Sequence, residues 1–344
     1  MTTHAADEAR EAIPGESPVT GLPLAQGDRL AMLVQIDHGT GTLKQKGKTV
    51  KGVGLGNAAP WGIEQADVVY EDLLHIPSGQ TRFCCLFYDS LPQSVGPVRS
   101  LRGGTILLRE AWHGGMVYAA SAMDRFDDPL VDCLHALEGS GTGLAIELKN
   151  VAFHAYARRA KGVKAPANYD VDLAGLRSLT DETATVCPFR FADEPFDQAG
   201  YERAQTVALD WGAKTSVETF VYDVSSRTYR HSVAGAPLVS YVSAEARANG
   251  GESVQLAFAN VIVQRVSYAL LGEAEWLPYP QLVGRGNAEF FIGGRYIPGY
   301  WERSSLDAPA VFYDERGEEM RFARGKTFIA HFPAEAPVAY RAEP

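Results

Sequence analysis

Ala66-Asp67-Val68-Val69-Tyr70-Glu71-Asp72-Leu73-Leu74 and, beyond a turn at Pro77-Ser78-Gly79, Thr81-Arg82-Phe83-Cys84-Cys85-Leu86-Phe87-Tyr88 are two runs rich in β-branched, aromatic and aliphatic residues. Their length and the intervening turn residues predict a β-hairpin. Successive strand residues point to opposite faces, so adjacent Cys84 and Cys85 are read as separately buried thiols, and Asp67 and Glu71 as sharing one face. Outward from the hairpin, Leu30 to Ile36 reads as a strand that ends at Asp37. The glycine-rich stretch His38 to Trp61 reads as a loop that forms a small hairpin or covers a cleft. Downstream, Leu107, Leu108 and Ala111 recur at helical spacing, and the pair Gly103-Gly104 places that helix after Gly104, with Thr105 as its cap. Met116 to Ala120 reads as a strand, and Pro129 to Leu137 and Val171 to Leu179 as helices.

From Val217 onward the texture is β-rich, with runs at Val217–Val224, Thr228–His231, Val254–Val266, Glu289–Ile292, Val311–Tyr313 and Thr327–Phe332. A chain of 344 residues exceeds the size at which one core stops growing. The expected fold is therefore α+β, with a mixed α/β layered N-terminal domain at 29–186 and a mostly β C-terminal domain at 206–333. Residues 187–205 read as the linker, 1–28 as a flexible tail and 334–344 as a second tail. Strands of both halves sharing one sheet is the alternative.

Composition is that of a globular protein, 46% hydrophobic and 22% charged. A net charge of -10 argues against nucleic acid as the main partner, whose affinity rests on clustered Lys and Arg. No run approaches the roughly 20 apolar residues of a spanning helix, and the first residues lack the pattern of a secretory signal. The Cys133 and Cys187 spacing neither demands nor forbids a disulfide, and no CxxC or Cys/His spacing points to a metal. No cofactor is expected. Gly54-Leu55-Gly56-Asn57-Ala58-Ala59 is a poor phosphate loop because Pro60 interrupts the required helix. Gly139 to Gly143 reads as a turn, Asp124, Asp127, Asp128 and Asp132 as a solvated acidic turn, and His113 and His154 as structural side chains.

Several local patterns occur in a fixed order: Gln65-Ala66-Asp67-Val68-Val69-Tyr70-Glu71, Thr81-Arg82-Phe83, Gly96-Pro97-Val98-Arg99-Ser100 with Arg102, Asn260-Val261-Ile262-Val263-Gln264, Gly293-Gly294-Arg295, Gly299-Tyr300-Trp301, Phe312-Tyr313-Asp314 and Gly325-Lys326-Thr327-Phe328-Ile329. In these the chain resembles the YerB-like family of bacterial lipoproteins, from about Thr20 to Pro333. The resemblance implies a two-part protein of unknown biochemical function, held outside the cell membrane by a lipid on its full-length precursor. Two departures stand out. No leader or lipid-accepting cysteine opens this chain, and Lys164-Ala165-Pro166-Ala167-Asn168 carries alanine where the family pattern suggests histidine.

Asp67, Glu71, Arg82, Arg99 and Arg102 form the candidate site. Forked guanidinium donors beside a helix start favour a carboxylate or phosphate, and the two acids could hold a cation, activate water or orient the arginines. Alternatively, the arginines pair with Asp67 and Glu71 and stitch a loop to the sheet. Trp276, Tyr279, Tyr300 and Trp301 are the candidate contact surface. The leading expectation is a protein that binds or scaffolds an anionic envelope component or a protein partner. The other is a hydrolase or transferase of envelope substrates using Asp67 or Glu71 with Arg99 and Arg102.

Overall fold

A computed structural model describes residues 11–24, 29–45, 47–76, 78–139, 145–165, 168–193, 200–212, 217–272 and 274–343. Pro77, most of the Gly139–Gly143 turn, and residues 166 and 167 lie outside that description, as do the side chains of Asp124 and Trp276. The expected hairpin is present. Val68–His75 pairs antiparallel with Gln80–Phe87, with Glu71 opposite Phe83 and Asp72 opposite Arg82. Both strands are buried almost throughout, because the sheet they belong to is covered on both faces.

That sheet runs through both halves of the chain. Its order is Glu202–Arg203, Arg295–Arg303, Gly284–Ile292, Asn260–Val266, Thr327–Pro333, Val68–His75, Gln80–Phe87, Met32–Ile36, Val95–Val98, Tyr169–Val171 and Ala157–Arg159. The halves meet where Thr327–Pro333 pairs in parallel with Val68–His75, placing Phe328 opposite Val69 and Ala330 opposite Glu71. Sharing of one sheet, the alternative kept open above, is thus what forms. The chain is mostly β. Its two longest described helices, Gly103–Trp112 and Pro129–Gly139, lie on one face, where Ile106, Leu108, Trp112 and Leu134 pack with Leu33, Val68, Tyr70, Cys84 and Leu86.

A second antiparallel sheet covers the opposite face. It is ordered Ala236–Pro237, Thr228–Val233, Val217–Asp223, Thr206–Asp210 and Val338–Arg341. Its strands alternate buried and accessible residues, as expected of a sheet with one face on the core. Val207, Leu209, Phe220 and Tyr229 meet Val69, Phe83, Cys85, Val261 and Phe328 across the gap. Cys84 and Cys85 enter opposite cores as the alternation requires, and no disulfide joins Cys133 to Cys187.

Three expectations need correction. The helix starts at Gly103, two residues before the expected Thr105. The glycines serve its close approach: a Cβ at 103 would lie 2.6 Å from Tyr279 Cβ and 2.7 Å from Leu130 Cδ2, and one at 104 would overlap the Asp72 carboxylate. Neither expected tail is a tail where it is described. Val19 is fully buried, while Ser17 and Thr20 donate to the two oxygens of Asp89 at 2.6 Å each. Val338–Arg341 is a strand on Thr206–Asp210. Within the expected linker, Phe189 is buried and Arg190–Phe191 pairs with Arg321–Phe322.

Candidate functional site

The pleat of three adjacent segments assembles polar groups on both faces of the central sheet at one place. Asp37 and His38 follow the strand Met32–Ile36, Glu71 and Asp72 sit in the next-but-one strand, and Thr81 and Arg82 lie between them. In each pair one side chain points to each face. Toward the helices are Asp37, Asp72 and Arg82; toward the second sheet are His38, Glu71 and Thr81, where His38 Nε2 lies 2.9 Å from Thr81 Oγ1 and 3.3 Å from Glu71 Oε1.

On the helix side the three arginines converge. Arg82 reaches Asp37 Oδ1 at 3.3 Å and donates to the Ser100 carbonyl at 3.1 Å. Arg99 donates from Nε to Asp37 Oδ2 at 3.1 Å. Arg102 donates to the Leu101 carbonyl at 2.7 Å and, over 3.4 Å, to the same Ser100 carbonyl that Arg82 uses. The carboxylate bonded to Arg82 and Arg99 is Asp37. Burial, followed by repulsion from Arg82 and Arg99, lowers the Arg102 guanidinium to about 9. Burial outweighs the attraction of Asp37 and lowers Arg82 to about 10. The Nε atoms of both Arg82 and Arg102 are buried with no hydrogen-bond partner among the described residues.

Neither Asp67 nor Glu71 joins this group. Asp67 precedes its strand and accepts from the backbone N–H of Tyr88 at 2.6 Å and of Asp89 at 2.9 Å. Burial, with Asp89 nearby, pushes its carboxyl up to about 7. Glu71 is fully buried on the other face, because strand parity gives Arg82 the same side as Asp72 instead. The arginines thus do not pair with Asp67 or Glu71: Arg82 and Arg99 pair with Asp37, and Arg102 bonds to backbone carbonyls. Asp37 was visible only as the end of an apolar run. Asp72 is hydrogen-bonded to His331 Nδ1 at 2.5 Å, a contact across 259 residues that no local motif announces.

The expected aromatic surface is dispersed as well. Trp301 is 3% exposed and donates from Nε1 to the Arg265 carbonyl. Its neighbour Tyr300 faces the other way, stacked on Tyr313 and beneath the Arg285 guanidinium. Tyr279 is half-buried against Gly103. Of the other sequence candidates, Gly56–Ala58 is a single 3-10 turn and His113 ends the helix Gly103–Trp112 in a left-handed conformation. Elsewhere, an open cleft of about 1080 Å³ is lined by Arg203, Arg227, Arg295, Arg324 and Lys326 with Asp193 and Glu343. There Arg324 Nε is bonded to Asp193, and Lys326 donates to the Glu64 carbonyl.

These features define a class: a mostly β protein whose two consecutive halves complete one mixed sheet and gather charged side chains at its centre. The chain belongs to the YerB-like family of unknown function, the protein of unknown function family DUF3048, whose N-terminal domain model matches residues 56–185 and whose C-terminal domain model matches residues 207–329. The crystal structure of YerB protein from Bacillus subtilis superposes with a TM-score of 0.70 at 20% identity, covering 94% of this chain and 99% of that one. At that identity the likeness is one of fold. No curated protein matches the chain.

Proposed function

We propose that this chain is a binding protein of the cell envelope, lipid-anchored in its full-length form, that grips an anionic group of an envelope component through Arg82, Arg99 and Arg102. The observation that carries the binding reading is the charge imbalance: Arg82 and Arg99 share the Asp37 carboxylate, Arg102 beside them bonds only to backbone carbonyls, and Arg82 and Arg102 each keep a buried Nε with no partner among the described residues. Burying unpaired charge is costly, so a phosphate or carboxylate that supplied the missing acceptors would bind with little reorganisation. Arg99, whose side chain is 25% exposed, gives that anion a way in from solvent. Support for the envelope comes from the family resemblance of the sequence motifs. A hydrolase or transferase built on Asp67 or Glu71 finds no support, since both are buried and engaged away from the arginines.

Thermal-shift titration with inorganic phosphate and with muropeptides tests this. Arg99→Ala is expected to raise the apparent Kd tenfold or more, the loss of one charge-assisted hydrogen bond of about 1.5–3 kcal/mol. Arg203→Ala, in the separate cleft, should leave it unchanged. The converse pattern, with the shift lost in Arg203→Ala and kept in Arg99→Ala, would move anion recognition to the cleft and overturn the proposal.

A further inference from the structure

On the other face of the sheet, between it and the second sheet, His38, Glu71 and Glu218 each present a ligand atom, all within 4.8 Å of one another. All three residues are fully buried. Glu218 comes from the strand Val217–Asp223 of the second sheet, whereas Glu71 lies in the central sheet and His38 follows its strand Met32–Ile36. His231, also fully buried, sits 3.0 Å from Glu218 Oε2 through its Nε2. Aromatic rings close the surroundings: His38 stacks on Phe83 at 3.8 Å, His231 on Phe220 at 4.2 Å, and Phe328 and Phe258 pack against His231.

This cage is electrostatically incomplete. It holds two carboxyl groups in contact with each other and, among the described residues, no lysine or arginine side chain bonded to either; apart from that mutual contact, Glu71 Oε2 and Glu218 Oε1 have no hydrogen-bond partner among them. Two adjacent carboxylates in an apolar enclosure cannot both ionise unless a cation lies between them. Either one proton is shared across the pair, or a metal ion occupies the gap.

We propose that His38 Nε2, Glu71 and Glu218 bind one divalent transition metal, which ties the central sheet to the second sheet. An imidazole with two carboxylates is a borderline N/O donor set suited to Zn²⁺ or Mn²⁺. Tetrahedral ligands on bonds of about 2.0–2.2 Å stand about 3.4 Å apart, so His38 Nε2 and Glu71 Oε1, at 3.3 Å, already have that spacing, and a ligand atom at the 4.8 Å limit would move in by roughly an ångström through glutamate side-chain rotation. Thr81 Oγ1, beside His38 Nε2, and the His231 ring, beside Glu218, are the adjoining groups that would orient the ligands. No motif could have announced the site, since its residues are 33 and 147 positions apart along the chain, as 71 minus 38 and 218 minus 71.

Elemental analysis of the intact chain purified without chelator, and again after unfolding with EDTA and refolding with Zn²⁺ or Mn²⁺, decides the matter. About one equivalent of metal per chain is expected in either preparation, with a higher melting temperature than the metal-free refolded chain. Glu218→Gln, which keeps the shape of the side chain, should reduce the bound metal at least tenfold. If Glu218→Gln does not fold, the wild-type stoichiometry still decides. Less than a tenth of an equivalent in both wild-type preparations would establish the shared-proton pair in its place. Metal retained equally by Glu218→Gln would put the ion elsewhere and likewise overturn the site.

Discussion

Phe328→Ala is expected to destabilise the protein by about 3–5 kcal/mol, the range for deleting a buried aromatic ring. Phe328 is fully buried in the parallel strand that joins the halves, between Val261 and Val69. Its ring meets Phe220 at 4.8 Å and Phe258 at 5.3 Å, both from the second half, and Phe83 at 6.3 Å from the first. Because the surrounding rings are anchored on two sheets, the vacated space cannot collapse without moving one against the other. Urea unfolding followed by circular dichroism should show a lower midpoint with an unchanged slope. A loss under 1 kcal/mol would mean that the two sheets are not held together here.

Asp37→Asn should be nearly as damaging. Asparagine preserves the volume but removes the carboxylate that Arg82 and Arg99 both contact. The Arg82 side chain is only 4% exposed, so its charge would be left buried without compensation. Breaking such a pair from one side costs about 3–5 kcal/mol, and the partial exposure of Arg99 puts the expected loss toward about 3 kcal/mol. Inorganic phosphate should then restore more stability to Asp37→Asn than it adds to the wild type, because the variant has a larger unneutralised charge. By contrast Asp193, bonded to Arg324 but 87% exposed, anchors an ion pair that solvent screens. Equal effects of phosphate on Asp37→Asn and wild type would argue against anion capture by the arginines.

Legibility in the sequence followed range. The hairpin at Val68–His75 and Gln80–Phe87, the small hairpin in the glycine-rich stretch, and the helix beginning at Pro129 were readable because turn residues and periodicity are local signals. Arg82, Arg99 and Arg102 were readable as a group because a strand and the loop after Val98 bring them together over 20 residues, from 82 to 102. Their acid was not readable. Whether Glu71 or Asp72 faces Arg82 depends on cross-strand register, and a one-residue difference reverses the face. Tyr300 and Trp301 illustrate the same point, since adjacent strand residues cannot share a surface. The packed N-terminal segment was read as a tail because Ser17 and Thr20 are held by Asp89, more than 60 positions away, and not by a core of their own. Glu218 gave no signal at all, because its site exists only once the second sheet docks.

The most direct measurement is an ¹H–¹⁵N spectrum of the arginine side chains, with Nε resonances assigned by Arg→Lys substitution, during titration with inorganic phosphate. Arg82 and Arg102, whose Nε–H groups lack acceptors, should shift saturably and together, while Arg203 and Arg227 stay in place. Unmoved Arg82 and Arg102 signals, with phosphate-dependent shifts confined to Arg203 and Arg227, would contradict the assignment of anion binding to the centre of the sheet.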